Sequence, residues 1–310
     1  MRLSKPSFWD TENSLLAIIL FPFSLIFNFL VYLKKKLTKE INFKIPIICV
    51  GNIYLGGTGK TPSSIFIARE LVKKNKNPVI IRKYYKDHRD EHDLIRKNYD
   101  NLILSKNRIQ GINEAIIKGF DTIVLDDGFQ DYKINKNLNI ICFNQNQKIG
   151  NGFTLPAGPL RERLTALKNS KIVLINGEKD LNFEKKILEI NKTTKIYYSK
   201  FKPININQFR NSNLLAFAGI GNPINFFNIL KNNNLNKLKE IIFPDHYEFT
   251  KSVLLKLISF AHLNNLKIVT TEKDFLRIKH LNLDNIEYLK VELEIENKEN
   301  LLEEILEVYD

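Results

Sequence analysis

Residues 51–62 read GNIYLGGTGKTP, a glycine-rich turn that ends on a lysine and a threonine. An apolar run, Ile45 to Val50, leads into it and a helical pattern follows, which is the setting a phosphate-binding loop requires. Gly56, Gly57, Thr58 and Gly59 can turn backbone N–H groups toward phosphate oxygens. Lys60 can reach the β- and γ-phosphates, and the Thr61 hydroxyl can ligate Mg²⁺, so the loop points to a nucleotide with Mg²⁺. The strict GxxxxGK(S/T) pattern would place glycine where Tyr54 stands, but the GGTGKT core is kept. A glycine turn holding no ligand is the alternative. A phosphate loop needs a second, acidic contact to its metal at the end of a neighbouring strand. TIVLDDGFQ supplies it: Thr122 to Leu125 is apolar, and Asp126 and Asp127 stand where the strand leaves the core. One can hold Mg²⁺ or its water while the other orients the first. Alone, such a pair is a turn or a helix cap; beside GGTGKT it reads as a metal contact. The reaction class is phosphoryl transfer or hydrolysis.

The elements that would position these residues alternate. Ile45–Val50, Pro78–Ile81, Asn101–Leu104, Thr122–Leu125, Leu138–Phe143 and Lys171–Ile175 have the length and apolarity of buried parallel strands. Helical stretches such as Pro62–Lys74 and Ile109–Lys118 lie between them, so the fold class is α/β, a P-loop NTPase-like doubly wound parallel sheet. A second, smaller α/β block follows, with strands at LLAFA (214–218) and KIVTT (267–271) and helices at Pro223–Lys231 and Ser252–Leu263. Polar, irregular Lys200–Asn213 is the expected linker. The expected organisation is an N-terminal anchor (1–37), a P-loop domain (38–200) and a C-terminal α/β domain (201–310). The last apolar helix, Glu299–Val308, could dock on either domain.

Ser14 to Leu33 is twenty residues without a charge, and as a helix it covers roughly 30 Å, enough to cross a bilayer. Lys34, Lys35 and Lys36 follow at once, which keeps the remainder of the chain cytoplasmic. Asp10 and Glu12 before the run, and no small-residue cleavage site after it, speak against a cleaved signal. Spanning the membrane is the first reading of the segment and in-plane or re-entrant anchoring the second, which Pro22 and Asn28 keep open. Hydrophobic residues make up 44% of the 310, which excludes a disordered chain. Lys+Arg 47 against Asp+Glu 34 gives +13, but the basic residues are spread along an Asn- and Lys-rich sequence, with no stripe of the kind nucleic acid needs. Two cysteines, Cys49 and Cys142, both in apolar runs, exclude a disulfide framework.

GNIYLGGTGKTP, LDDGFQ, GNGFTLPAGPLRER, AGIGNPINFF, FPDHYEF and TTEKD, in this order behind an apolar N-terminal segment, resemble the tetraacyldisaccharide 4′-kinase family, the lipid A 4′-kinases of Gram-negative bacteria. The resemblance implies a kinase that transfers the γ-phosphate of ATP to the 4′-hydroxyl of an acylated glucosamine disaccharide 1-phosphate. It also implies a place at the cytoplasmic face of the inner membrane, among its lipids, with neither nucleic acid nor an obligate protein partner. The family's Asp–His pair maps onto Asp90, as base, and His246 of FPDHYEF, as its polarising partner, one from each domain so that closure would assemble them. Read without the family, KDHRDEHD (86–93) is a solvated charged loop and His246 a surface turn residue.

Three departures from the family pattern stand out: Asp131 replaces a histidine after DDGFQ, Lys83 a glycine after Arg82, and Arg89 and His92 the Gly and Pro flanking Asp90-Glu91. They bear on the geometry around Asp90, where His88 or His92 could handle a proton. Arg161 and Arg163 could neutralise nucleotide or substrate phosphates, or lie on the surface. Gly219, Gly221, Glu272, Lys273 and Asp274 could approach the nucleotide or cap helices, and stay outside the catalytic assignment. A membrane-tethered P-loop ATPase or switch without a lipid acceptor is the second functional reading, and a basic nucleic-acid module a third.

Overall fold

The computed structural model describes residues 5–235 and 238–310. Its elements run α1 (Leu15–Leu37), β1 (Ile47–Gly51), α2 (Lys60–Lys73), β2 (Pro78–Lys83), α3 (Arg89–Asn98), β3 (Leu102–Ser105), α4 (Arg108–Ile117), β4 (Thr122–Asp126), β5 (Leu138–Asn144), β6 (Ile172–Asn176), α5 (Leu181–Ile190) and β7 (Lys195–Pro203). They continue with β8 (Leu214–Ala218), α6 (Pro223–Asn232), β9 (Leu238–Ile242), α7 (Lys251–Leu263), β10 (Lys267–Thr271), α8 (Glu272–Ile278), β11 (Ile286–Leu289), β12 (Val291–Ile295) and α9 (Lys298–Leu306). The chain packs as two compact units. One holds the residues up to Tyr84, Tyr99–Lys200 and Ile295–Asp310; the other holds Tyr85–Asn98 and Phe201–Glu294.

The first unit carries strands in the order β7-β6-β5-β1-β4-β2-β3. Every pairing from β3 across to β7 is parallel. Strands β1, β4 and β6 are buried along their whole length, which is why they read as unbroken apolar runs. β1 has β4 on one side and β5 on the other, so the strand order reverses around it. In such sheets ligands bind outside the carboxyl ends of the strands at that point. The chain's last helix also packs in this unit, burying Leu301, Leu302 and Ile305, and the Tyr309 hydroxyl lies 2.6 Å from that of Thr122, at the amino end of β4.

The second unit has a parallel sheet, β11-β10-β8-β9. Side chains of a strand alternate between faces, and β8 is apolar on both. Leu214, Ala216 and Ala218 pack with Phe226, Phe227 and Leu230 of α6. Leu215 and Phe217 pack with Phe249, Leu254 and Ala261 on the other side.

The structure departs from the sequence reading at three places. Residues 89–98 form α3, not a solvated loop, and its Asp90, His92 and Ile95 are buried. Charge density hid this helix because its carboxylates are neutralised by residues nearly two hundred positions away. Strand β7 runs through the start of the expected linker; its lysines at 195, 200 and 202 flank the buried run Tyr197–Ser199 and masked the strand pattern. Residues 85–98, assigned by sequence to the P-loop domain, belong to the second unit; the last helix, for which either domain was open, packs with the first.

Gly51 closes β1, and a Cβ there would lie 2.5 Å from the Phe129 Cβ and 3.2 Å from the Phe129 backbone nitrogen. Backbone crowding of this kind costs about 1–3 kcal/mol. Gly51→Ala is expected to lower the midpoint of the first unit's thermal unfolding, followed by circular dichroism; an unchanged midpoint would contradict the packing described.

Candidate active site

The loop after β1 enters α2 through Gly59, which sits in the left-handed region at φ 89° and caps the helix. A side chain there would be strained and would approach Asn176 Nδ2 at 3.1 Å. Asn52 ties the loop together from inside, its Nδ2 donating to Thr58 Oγ1 at 3.0 Å and to the Gly56 carbonyl at 3.3 Å. The helix then presents Lys60, Thr61 and Ser64 toward the end of β4.

Asp126 there is fully buried. Thr61 Oγ1 donates to its Oδ2 at 3.0 Å and Ser64 Oγ to its Oδ1 at 3.2 Å. Arg82, at the end of β2, donates to the same Oδ2 and, at 3.2 Å, to Thr61 Oγ1. Asp127 follows in a left-handed conformation, φ 56°. Its amide donates to the Val50 carbonyl at 2.9 Å, and Arg108 Nη2 donates to its carbonyl at 2.7 Å. That geometry turns its carboxylate toward Arg161 Nη1, at 3.0 Å, and Lys60 Nζ, at 3.7 Å. Burial alone would raise the Asp127 carboxyl, but Lys60, Arg161 and Arg82 outweigh it and hold it well below the usual carboxylate range. Burial pushes the Lys60 ammonium down, against the pull of Asp127.

Of the sequence candidates, Lys60, Thr61, Asp126 and Asp127 therefore meet at one point. Arg161 joins them, while Arg163 is exposed. Asp131, where the family pattern has histidine, lies 3.5 Å from Arg108 Nη1. Arg82, Arg108 and Asn52 were missed. Arg82 could have been suspected, since it lies near the end of β2, paired with Asp126 at the acidic end of β4. Thr61 and the two aspartates are hard oxygen donors of the type Mg²⁺ takes, usually one or two carboxylates completed by substrate phosphates. Among the described residues no group of three or more His, Cys, Asp or Glu gathers to hold a metal by itself, which fits that arrangement.

The second unit holds the other candidates. Asp90, on the buried face of α3, is 3% exposed. Arg277 of α8 donates to Asp90 Oδ2 through Nε at 2.9 Å and Nη2 at 2.6 Å. Lys273 Nζ lies 3.4 Å and His246 Nδ1 3.6 Å from the same oxygen. Arg277 Nη1 also donates to Asp274 Oδ1 and to the Gly219 carbonyl, both at 2.6 Å. Gly219 N and Thr271 Oγ1 donate to Asp274 Oδ2 at 2.9 and 2.8 Å. AGIGNP and TTEKD, left outside the catalytic assignment, thus build the frame around Asp90. Arg277, one helical turn beyond Asp274, carried no sequence signal apart from that spacing. Asp90 and His246 lie within one unit, so the pair does not need the two units to close in order to form. Of the departures, His92 is buried on α3, Arg89 is exposed and Lys83 half-buried. Burial would raise the Asp90 carboxyl, but Lys273, Arg277 and His246 bring it below the usual range. Burial and Lys273 push the His246 imidazole down, over the opposing Asp245 and Asp90.

Removing one partner of a buried ion pair costs about 3–5 kcal/mol. Arg82→Ala is expected to destabilise the first unit by about that amount, and Arg82→Lys to recover only part of it because one ammonium cannot match the fork that serves Asp126 and Thr61. Denaturant unfolding measures both, and an Arg82→Ala chain as stable as the parent would refute the role.

A family model for tetraacyldisaccharide-1-P 4'-kinase matches residues 16–310. A tetraacyldisaccharide 4'-kinase of Pelagibacter ubique is 41% identical over 312 residues, 99% of each chain. One from Rickettsia canadensis is 36% identical, covering 98% of this chain and 97% of its own. The crystal structure of LpxK from Aquifex aeolicus in complex with ATP matches with a TM-score of 0.73 at 24% identity, over 96% of this chain and all of that one, a likeness of fold.

Proposed function

The chain belongs to the tetraacyldisaccharide-1-P 4'-kinase family, and on that premise we propose how its residues move the γ-phosphate of ATP to the 4′-hydroxyl of an acylated disaccharide 1-phosphate. Family membership sets aside the reading as a tethered ATPase or switch without a lipid acceptor. The observation that carries the proposal is the meeting of Lys60 and Thr61 with Asp126 and Asp127 at the carboxyl end of β4. The backbone of Gly56, Gly57, Thr58 and Gly59 holds the phosphates of ATP, and Lys60 and Arg161 offset the charge that spreads over the γ-phosphoryl oxygens. Thr61, Asp126 and Asp127 would hold Mg²⁺, which when bound neutralises phosphate charge. Thr61 and Asp126 lie against each other, and Arg82, bonded to both, keeps the buried carboxylate pointed at the hydroxyl.

In phosphoryl transfer the nucleophile needs positioning more than a strong base. Asp90 suits that demand. Every contact described above falls on Oδ2, and we assign Oδ1 as the atom that accepts the proton of the 4′-hydroxyl. Arg277 and Lys273 hold the carboxylate ionised and fixed, and His246 stands beside it as a neutral imidazole. A group with a lowered pKa keeps its deprotonated form until the pH falls through that lowered value. Turnover should therefore hold through the ordinary histidine range and decline only further into acid.

The membrane reading rests on α1, the one described helix long and apolar enough to cross a bilayer, with a mean hydropathy of 2.4. Its residues at 17, 21, 24 and 28 form one stripe, and this stripe faces the protein. Ala17 and Ser24 are buried, Phe21 packs on Phe153 with ring centroids 5.3 Å apart, and Ser24 Oγ and Asn28 Nδ2 donate to Thr154 at 2.8 and 2.9 Å. Leu16, Ile19, Phe23, Ile26 and Leu30 on the other side are each more than half exposed. A spanning helix would put Ser24 near the bilayer centre, and with it the segment it holds. We therefore favour α1 lying in the plane of the inner membrane's cytoplasmic face, apolar side down, where acyl chains of the substrate are buried.

The test is transfer of label from γ-labelled ATP into the lipid phase, using membranes that contain the chain and an acylated disaccharide 1-phosphate. Lys60→Ala and Asp90→Asn are each expected to lower turnover by at least about 100-fold, with the parent's acid decline lying below pH 6.5, the ordinary histidine value. Full turnover in Asp90→Asn would refute the base assignment.

A further inference from the structure

Within the second unit, the ring of His246 lies against a second histidine. His88 ends a short 3₁₀ turn, Lys86–His88, just before α3. Its ring stacks on that of His246 with centroids 5.1 Å apart and planes 25° from parallel. Tyr85 packs beside it, 5.2 Å between centroids. His88 Nδ1 is 3.2 Å from Glu91 Oε2, and the other Glu91 oxygen is 2.9 Å from Lys273 Nζ, which in turn reaches Asp90. The contacts form a closed ring running Asp90, Lys273, Glu91, His88, His246 and back to Asp90. Resting on the reading of Asp90 and His246 above, we propose that His88 is a positioning residue for His246, fixing the plane of its imidazole by stacking and keeping it uncharged by carrying the proton itself, paired with Glu91.

The argument has a geometric and an electrostatic half. His246 is anchored by its backbone, φ 56°, with its N–H donating to the Gly219 carbonyl at 3.1 Å. That anchor sets where the side chain starts and not how the ring is turned. Its Nδ1 is 3.3 Å from Arg277 Nη2, a donor, and its Nε2 is 3.9 Å from Asp245 Oδ1. Neither contact sets the ring plane as a flat stack does. Among the described residues, the charged and titratable groups facing His246 include Asp90 of α3, His88 of the turn, Lys273 and Arg277 of α8, and Asp245 beside it in the chain. A cation at His88 adds to Lys273 and Arg277 against the two aspartates, and like charges side by side disfavour a second proton. The carboxylate of Glu91, directly on His88, decides which of the two rings holds it.

Removing the charge at His88 should make His246 easier to protonate, so its titration midpoint rises. Two substitutions separate the halves. His88→Phe keeps a flat ring and loses the charge; His88→Ala loses both. In the full chain in detergent micelles, NMR titration of the His246 imidazole is expected to show a midpoint raised by about one pH unit in His88→Phe, a tenfold change in proton affinity. In the lipid phosphorylation assay, His88→Ala should lower kcat by about tenfold with KM for ATP unchanged. His88→Phe should regain most of that at pH 8 and lose activity at a higher pH than the parent. An unmoved His246 midpoint in both variants overturns the proposal, and so does a loss of kcat that merely follows a lowered melting temperature. The NMR measurement does not depend on turnover. Full activity in Asp90→Asn would remove the catalytic role of the pair, and the His246 midpoint would then decide by itself whether His88 controls that ring.

Discussion

A carboxylate with no exposure to water is stable only if its charge is met and its lone pairs are filled. Asp126 meets that condition through three elements at once. Thr61 and Ser64 come from α2 and Arg82 from β2, while Asp126 itself ends β4. The start of the helix that follows the glycine loop is thereby tied to two neighbouring strand ends. The loop cannot move away from β4 without exposing an unpaired buried charge. The glycine loop is placed by this constraint more than by its glycines, which only permit the turn.

The residues that support Asp127 extend the same logic outward. Arg108 holds its carbonyl, Arg161 and Lys60 hold its carboxylate, and the segment carrying Arg161 is laced to the loop after β1. The Leu55 amide donates to the Pro159 carbonyl at 2.8 Å and the Arg161 amide to the Ile53 carbonyl at 2.7 Å. That segment, residues 153–161, is also where α1 docks through Ser24 and Asn28. Trp9 adds a further tie, its indole N–H donating to the Pro156 carbonyl at 3.1 Å. One short stretch of irregular chain therefore bonds to the apolar helix on one side and to the phosphate loop on the other.

The second unit solves a similar problem with a different residue. Arg277 bridges two buried carboxylates, Asp90 and Asp274, and also a backbone carbonyl. Its planar fork serves three acceptors where a lysine could serve them only in part. Thr271 in turn caps the helix by accepting the Asp274 amide, and the Asp274 carboxylate receives the Gly219 amide. The glycine turn after β8, the start of α8 and the buried face of α3 are held by one guanidinium.

The parallel strands and the glycine loop between β1 and α2 were legible because their signals are local. Strands buried on both faces must be apolar throughout, as β1, β4 and β6 are, and a loop that bends N–H groups toward phosphate must be rich in glycine. Asp126, Asp127, Lys60 and Thr61 were legible for the same reason. The resemblance to a family supplied Asp90 and His246, which composition alone reads as a charged loop and a turn. What the chain by itself could not state is which distant charges cancel. Arg82 on Asp126, Arg277 on Asp90 and Glu91 on His88 depend on distances set by packing. That is why α3 looked like solvated loop, why β7 hid among lysines, and why Asp90 and His246 fell in one unit. Periodicity and turn chemistry are properties of neighbours in sequence; the pairing of buried charges is a property of neighbours in space, and only the folded chain decides it.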